Sequence, residues 1–163
     1  MTLRKLNHRP AHAVRRPVPS EPLAGHDMHD YADCFEVPLS AADDRTAEQV
    51  FRAGLEGAPP ALRRVIVTAH RHVLRLRLGP ASSPTHVLGW QIISNEPDAI
   101  QLEASGPLAR GVLVAQRSPA SSAVLHTYVY YRRAHARAIW AFTAPVHRAI
   151  ARYLLKRAAQ GSS

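Results

Sequence analysis

The side chains able to do chemistry in this sequence are few and scattered. His147 lies two residues after Pro145, in an apolar stretch that opens Trp140-Ala141-Phe142. An imidazole there, facing an interior space, can bind a ligand or move a proton near neutral pH. The alternative is structural: a histidine near a proline-induced break can satisfy a freed backbone carbonyl. Thr143 could also cap a fresh helix from Ala144, with Pro145 in its first turn. His126, Tyr128, Tyr130 and Arg132 share one side of a strand at period two. Such an aromatic row with polar tips suits a pocket wall. It equally suits a solvent face, because Leu125, Thr127, Val129 and Tyr131 form the more hydrophobic opposite side. Trp90 and Trp140 are either core residues or ligand platforms. The expected ligand-contacting set is Trp90, Tyr128, Trp140 and His147.

Other constellations exclude chemistries. His70 and His72 are two apart, so on a helix they diverge by roughly 200° and cannot chelate one metal unaided. His26, Asp27, His29 and Asp30 have ligand chemistry but lie at the junction of tail and fold, where a solvated role is expected. The one cysteine, Cys34, rules out an internal disulfide and a thiolate cluster. Acids flank it, which disfavours a reactive thiolate. No Gly-x-Ser-x-Gly elbow and no Gly-x-Gly-x-x-Gly is present, and no acid follows Glu103. The sequence therefore assigns no catalytic set, and neither metal nor cofactor is expected.

The elements that must position these residues follow from periodicity. Residues 31–39 read as a strand with Tyr31, Asp33, Phe35 and Val37 on one face. Thr46 caps a helix running to about Glu56, and Gly57 stops it. Pro59-Pro60 opens a second helix, with Leu62, Val65, Ile66, Ala69, Val73 and Leu74 at helical spacing. The alternating end, Leu74 to Leu78, is kept helical, although a strand fits it too. Four strands follow at 87–94, 99–104, 108–117 and 123–132, separated by short turn signals, so they are antiparallel neighbours. A long helix over about 136–158 carries an apolar stripe of Ile139, Phe142, Val146, Ile150, Tyr153 and Leu154. A sheet with one apolar face needs a cover, and this helix is the obvious one.

Length and composition bound the class. The chain has 163 residues, 46% hydrophobic and 20% charged, which suits one globular domain with tails. The expected division is a disordered basic leader over 1–27, a folded domain over 28–159 and a disordered tail over 160–163. The net charge of +9 is unevenly spread. Residues 132–163 hold seven basic residues and no acid, whereas 25–131 hold nine basic and eleven acidic residues. No apolar run reaches the ~18–20 residues of a membrane span, and the leader lacks the apolar core of a signal peptide. A cytoplasmic location is expected.

Several stretches resemble a known family. Phe51-Arg52-Ala53, Gly57-Ala58-Pro59, His70-Arg71-His72-Val73-Leu74, Val87-Leu88-Gly89-Trp90 and above all Trp140-Ala141-Phe142 with Pro145-Val146-His147-Arg148 are similar to a bacterial domain-of-unknown-function family. That family looks like a member of the START-like (SRPBCC) superfamily, which includes polyketide cyclases. The resemblance covers roughly 28–159. It implies an α+β helix-grip fold: a curved antiparallel sheet in the order strand, two helices, four-strand meander, long C-terminal helix. It implies a ligand-sized cavity and no particular reaction. With five recognisable strands, the cavity is expected to be small or partly filled.

Three functions compete. The leading one is binding of a small apolar or amphipathic molecule between the sheet and the last helix, which calls for a cavity of ~300 Å³ or more. The second is a cyclase- or isomerase-type enzyme with His147 or a strand tyrosine as general acid or base. The third is binding of an anionic surface or nucleic acid through Arg132, Arg133, Arg137, Arg148, Arg152, Lys156 and Arg157. A charge run on a terminal helix is usually a solvated face, and no nucleic-acid motif accompanies it, which argues against nucleic acid. No feature sets an oligomeric state.

Overall fold

Residues 13–16, 28–118 and 121–160 are described by the computed structural model. In chain order the elements are β1 (Val14–Arg15), β2 (Tyr31–Pro38), α1 (Ala47–Leu55), α2 (Pro60–Thr68), a π turn (Ala69–Val73), β3 (Ser82–Ser83), β4 (His86–Val87), β5 (Trp90–Glu96), β6 (Ala99–Ser105), β7 (Ala109–Ser118), β8 (Ser122–Tyr131) and α3 (Ala136–Gln160). All strands pair antiparallel in one curved sheet of order β1-β2-β8-β7-β6-β5-β4-β3. The expected α+β class and the long C-terminal helix are present. The sheet has eight strands rather than five, because three two-residue strands extend its edges.

Local chemistry explains the well-placed elements. Thr46 and Gln49 form a reciprocal capping box: Thr46 Oγ1 accepts from the Gln49 N–H at 3.2 Å, and Gln49 Oε1 accepts from the Thr46 N–H at 2.8 Å. The meander turns at Pro97-Asp98 and at Gly106-Pro107-Leu108, so β6 and β7 lie beside their sequence neighbours. Gly106 is required there, because a Cβ would run into the Arg75 carbonyl oxygen.

Two expectations and one alternative reading give way. Val14 and Arg15, inside the stretch read as a disordered leader, pair with Glu36 and Phe35. That ladder covers the edge of β2, and the Arg16 Nε–H donates to Glu36 Oε2 at 2.7 Å. The rest of that leader, His26 and Asp27 included, lies outside the described residues, as do residues 161–163, whereas Gln160 belongs to α3. Leu74 to Leu78 is not helical. The π turn ends at Val73, Arg75 takes a left-handed φ of 53°, and Arg77 bridges to Ser105. The alternation there buries Leu76 while Arg75 and Arg77 face outward. Finally, α3 is one helix through Pro145. Proline removes the donor for the Ala141 carbonyl, but that turn is exposed, so water can replace it. Thr143 does not cap a new helix; its hydroxyl donates back to the Ile139 carbonyl at 3.1 Å.

The buried face of α3 also differs from the expected stripe. Ala136, Trp140, Ala144, Ala151, Leu154, Leu155 and Ala158 are buried, while Phe142 is 86% exposed and Val146 59%. Small residues win because they permit close approach. Gly54 of α1 sits so near α3 that a Cβ would lie 2.9 Å from the Leu154 carbonyl oxygen. The core thus forms between the helices and one face of the sheet, around Phe35, Val37, Ile100, Leu102 and Leu125.

Candidate functional site

Between the helical layer and the sheet lies a cavity of about 270 Å³. That falls short of the ~300 Å³ that the binding expectation called for, although it exceeds the ~150 Å³ that holds benzene. Its wall is mostly apolar, with Phe51, Ile66, Leu113, Ala115, Leu125 and Leu154 among the lining residues. Exposed Val65, Phe142 and Val146 also line it, so apolar side chains border its open side.

One end is polar. His70, Thr127 and His147 line the cavity together with Trp90 and Trp140. Each position follows from its element. Thr127 pairs with Asp33 across β2 and β8, so both occupy the core-facing side. His147 lies one helical turn beyond Ala144 on α3, and its ring is tilted against Trp140 at 5.2 Å. His70 comes from the π turn, a device often found where a helix is bent for function.

Behind these residues stands Asp33, wholly buried. The Tyr31 hydroxyl donates to Asp33 Oδ2 at 2.6 Å, and His147 Nε2 stands 3.3 Å from the same oxygen. The imidazole is close enough to pair with the carboxylate but is not aligned for a hydrogen bond. Tyr31 in turn packs edge-on against Trp140, ring centres 5.1 Å apart. Asp33 Oδ1, Thr127 Oγ1 and Trp140 Nε1 are buried without hydrogen-bond partners.

The electrostatics follow from this geometry. Burial pushes the Asp33 carboxyl up, but His147, Tyr31 and Thr127 outweigh it and hold it below the usual carboxylate range. Tyr31 is pushed up to about 12, first by burial and then by the Asp33 carboxylate it serves. His70 is pushed down to about 4 by burial, reinforced by charge on His147. Its Nδ1 accepts from the Trp90 indole N–H at 3.3 Å, so the neutral ring carries its proton on Nε2. At this end, then, a carboxylate backs one imidazole while a second imidazole stays neutral.

Three of the four expected ligand-contacting residues, Trp90, Trp140 and His147, line the cavity. Tyr128 does not. It lies on the opposite face of β8, 1% exposed, stacked with His126 and packed by His29. Parity requires this: Thr127 and Val129 face the cavity, so 126, 128 and 130 point the other way. That outer face is no solvent face either, because Val112, Val114, Tyr128 and Tyr130 form a second buried cluster. Asp33, His70 and Thr127 stand at this end of the cavity without having been expected there. The signal for Asp33 was present, a charged residue in phase with Phe35 and Val37.

The remaining candidates are structural. Burial, followed by the charges of Asp33 and Glu36, pushes the Cys34 thiol up to about 11. Asp30 Oδ2 accepts from the Tyr131 N–H at 2.6 Å, and no metal-ligating group is found among the described residues. The basic C-terminal set is partly used by the fold. Arg152 lies over the Phe35 ring, Arg157 donates to the Gly57 carbonyl, and Arg132 donates to the Gly106 carbonyl. No helix among the described residues is long and apolar enough to cross a membrane. Comparison with family models, with curated proteins and with solved structures returned no match to this chain.

Proposed function

We propose that this chain is a START-like, helix-grip binding domain that holds a small apolar or amphipathic molecule between its sheet and α3. The observation that carries this is the cavity itself: about 270 Å³, apolar over most of its wall, polar at one end and bordered by exposed Phe142 and Val146. A cavity of ~150 Å³ suffices for benzene, so the space suits a molecule of about two fused rings. The polar end would take a single carbonyl or hydroxyl, and the apolar wall the rest. Loading is tested with a panel of two-ring aromatics and C8–C10 fatty acids, by native mass spectrometry and thermal shift. Saturation by a member of the panel raises Tm by several degrees. A protein that carries no panel member and shows no shift refutes the proposal.

A further inference from the structure

We infer that the polar end of the cavity is an acid–base site for an enolisable ketone, with His147 as the base, Asp33 as its positioning residue and His70 as the hydrogen-bond donor to the carbonyl. This rests on the binding reading above and adds a reaction to it.

The assignment comes from which nitrogen faces what. His147 Nε2 faces the buried Asp33 carboxylate at 3.3 Å. A carboxylate accepts only, so it favours the tautomer with its proton on Nε2. Nδ1 is then the basic nitrogen, and the side chain retains 20% exposure. Asp33 is itself held at that same oxygen by the Tyr31 hydroxyl at 2.6 Å. A carboxylate that orients an imidazole and stabilises its charged form is the logic of acid–base dyads in general. Their hydrogen bonds are often long or misaligned before a ligand is bound. His70 supplies the complement. Its Nδ1 is occupied by the Trp90 indole N–H, so it presents a neutral N–H donor, and it lines the same cavity as His147. Neutral imidazoles serve as electrophiles for carbonyl oxygens in enolising sites.

A purely structural role explains the arrangement less well. A buried carboxylate is costly unless paired and fully hydrogen-bonded. Here Oδ1 makes no aligned hydrogen bond, although Thr127 stands opposite on β8, and Trp140 Nε1 has no partner. An apolar residue at 33 would fill the same space beside Phe35 without that cost.

The step balances without a cofactor. A C–H bond next to the ligand's carbonyl breaks, and its proton goes to His147 Nδ1. The electron pair moves onto the carbonyl oxygen, which the His70 N–H holds as an enolate. Once the imidazole has traded that proton for a solvent deuteron, delivery of the deuteron to the same carbon gives exchange; delivery to the far end of a conjugated system gives isomerisation. Nothing is oxidised or reduced.

The test uses 1-indanone, two fused rings with one enolisable methylene, and the full-length protein in D2O. Proton NMR follows loss of the α-proton signal, and saturation-transfer NMR measures occupancy separately. Exchange should run above the buffer background and fall about 100-fold or more in His147→Gln, in line with what a general base contributes. His70→Phe lowers the exchange rate compared at matched ketone occupancy. Long-range proton–nitrogen spectra of the imidazoles should show His147 in the Nε2–H form in the native protein, and a loss of that preference in Asp33→Asn. A purely structural Asp33 would not move this tautomer signature. Occupancy by 1-indanone without exchange overturns the acid–base assignment and leaves the binding reading standing. A native His147 in the Nδ1–H form overturns it independently of any ligand. Failure of 1-indanone and of the whole two-ring and fatty-acid panel to occupy the cavity overturns both.

Discussion

His70 makes the stability of this fold sensitive to mildly acidic pH. In the unfolded chain its imidazole takes a proton below the ordinary 6.5, whereas in the folded chain burial and the charge of His147 delay protonation to about 4. Between these limits the unfolded state binds the extra proton. Stability due to His70 is therefore complete above pH 6.5 and is lost as pH falls toward 4. One proton over that window, at ~1.4 kcal/mol per pH unit, amounts to about 3 kcal/mol. That is a large share of the ~5–15 kcal/mol that holds a domain together. The comparison protein is His70→Gln, which does not titrate but keeps an oxygen acceptor for the Trp90 N–H. Urea unfolding, followed by the fluorescence of Trp90 and Trp140, is measured at intervals from about pH 7 to about pH 4 for both proteins, a range that spans the window. The native protein should lose about 3 kcal/mol more than the variant. His126, also pushed down by burial, titrates in both and cancels. Asp33, held below its usual range, keeps its contribution until pH falls lower still. Parallel stability curves for the two proteins would refute the account of His70 as a desolvated, neutral group.

Three further outcomes follow from individual contacts. Gly111→Ala places a Cβ 2.7 Å from Trp90 Cη2 at the cavity wall, so overpacking should cost about 1–3 kcal/mol, read as a lower urea midpoint with altered Trp fluorescence. Thr46→Ala removes the capping-box acceptor at the start of α1 and should cost about 1 kcal/mol in the same assay. Phe142→Ser changes a side chain that is 86% exposed yet borders the cavity. Its stability should stay within about 0.5 kcal/mol of native, while native mass spectrometry should show weaker retention of two-ring aromatics.

What was legible in the sequence was what depends on neighbours along the chain. The Thr46 cap, the short turn before β6 and the period-two run through Phe35 and Val37 each carry their own local cause, and each stands where it was expected. What depended on packing was harder. Two sides of α3 compete to be its buried face. The bulkier one, with Phe142, Val146 and Tyr153, is largely exposed because the alanine side lets α3 approach α1 closely. The more hydrophobic side of β8, with Leu125, Thr127 and Val129, is the one that faces the cavity, and Tyr128 on the other side is buried in a separate cluster, so its aromatic character did not mark a cavity wall.

Asp33 lies between these cases. Its parity with Tyr31, Phe35 and Val37 is plain in the sequence, and that parity puts a carboxylate on a face that must be buried. Burial of a lone carboxylate is disfavoured so strongly that the strand pattern alone demands a partner for it. The partner sits near the other end of the chain, on a helix whose buried face the hydrophobic pattern misassigns. On that expected stripe His147 has no reason to meet β2. On the alanine face it stands beside Trp140 and 3.3 Å from Asp33. The small residues of α3 thus do two things at once. They seat the helix close to α1, and they rotate its one histidine toward the one buried acid of the strand. The binding cavity and its polar end are consequences of the same choice of helix face.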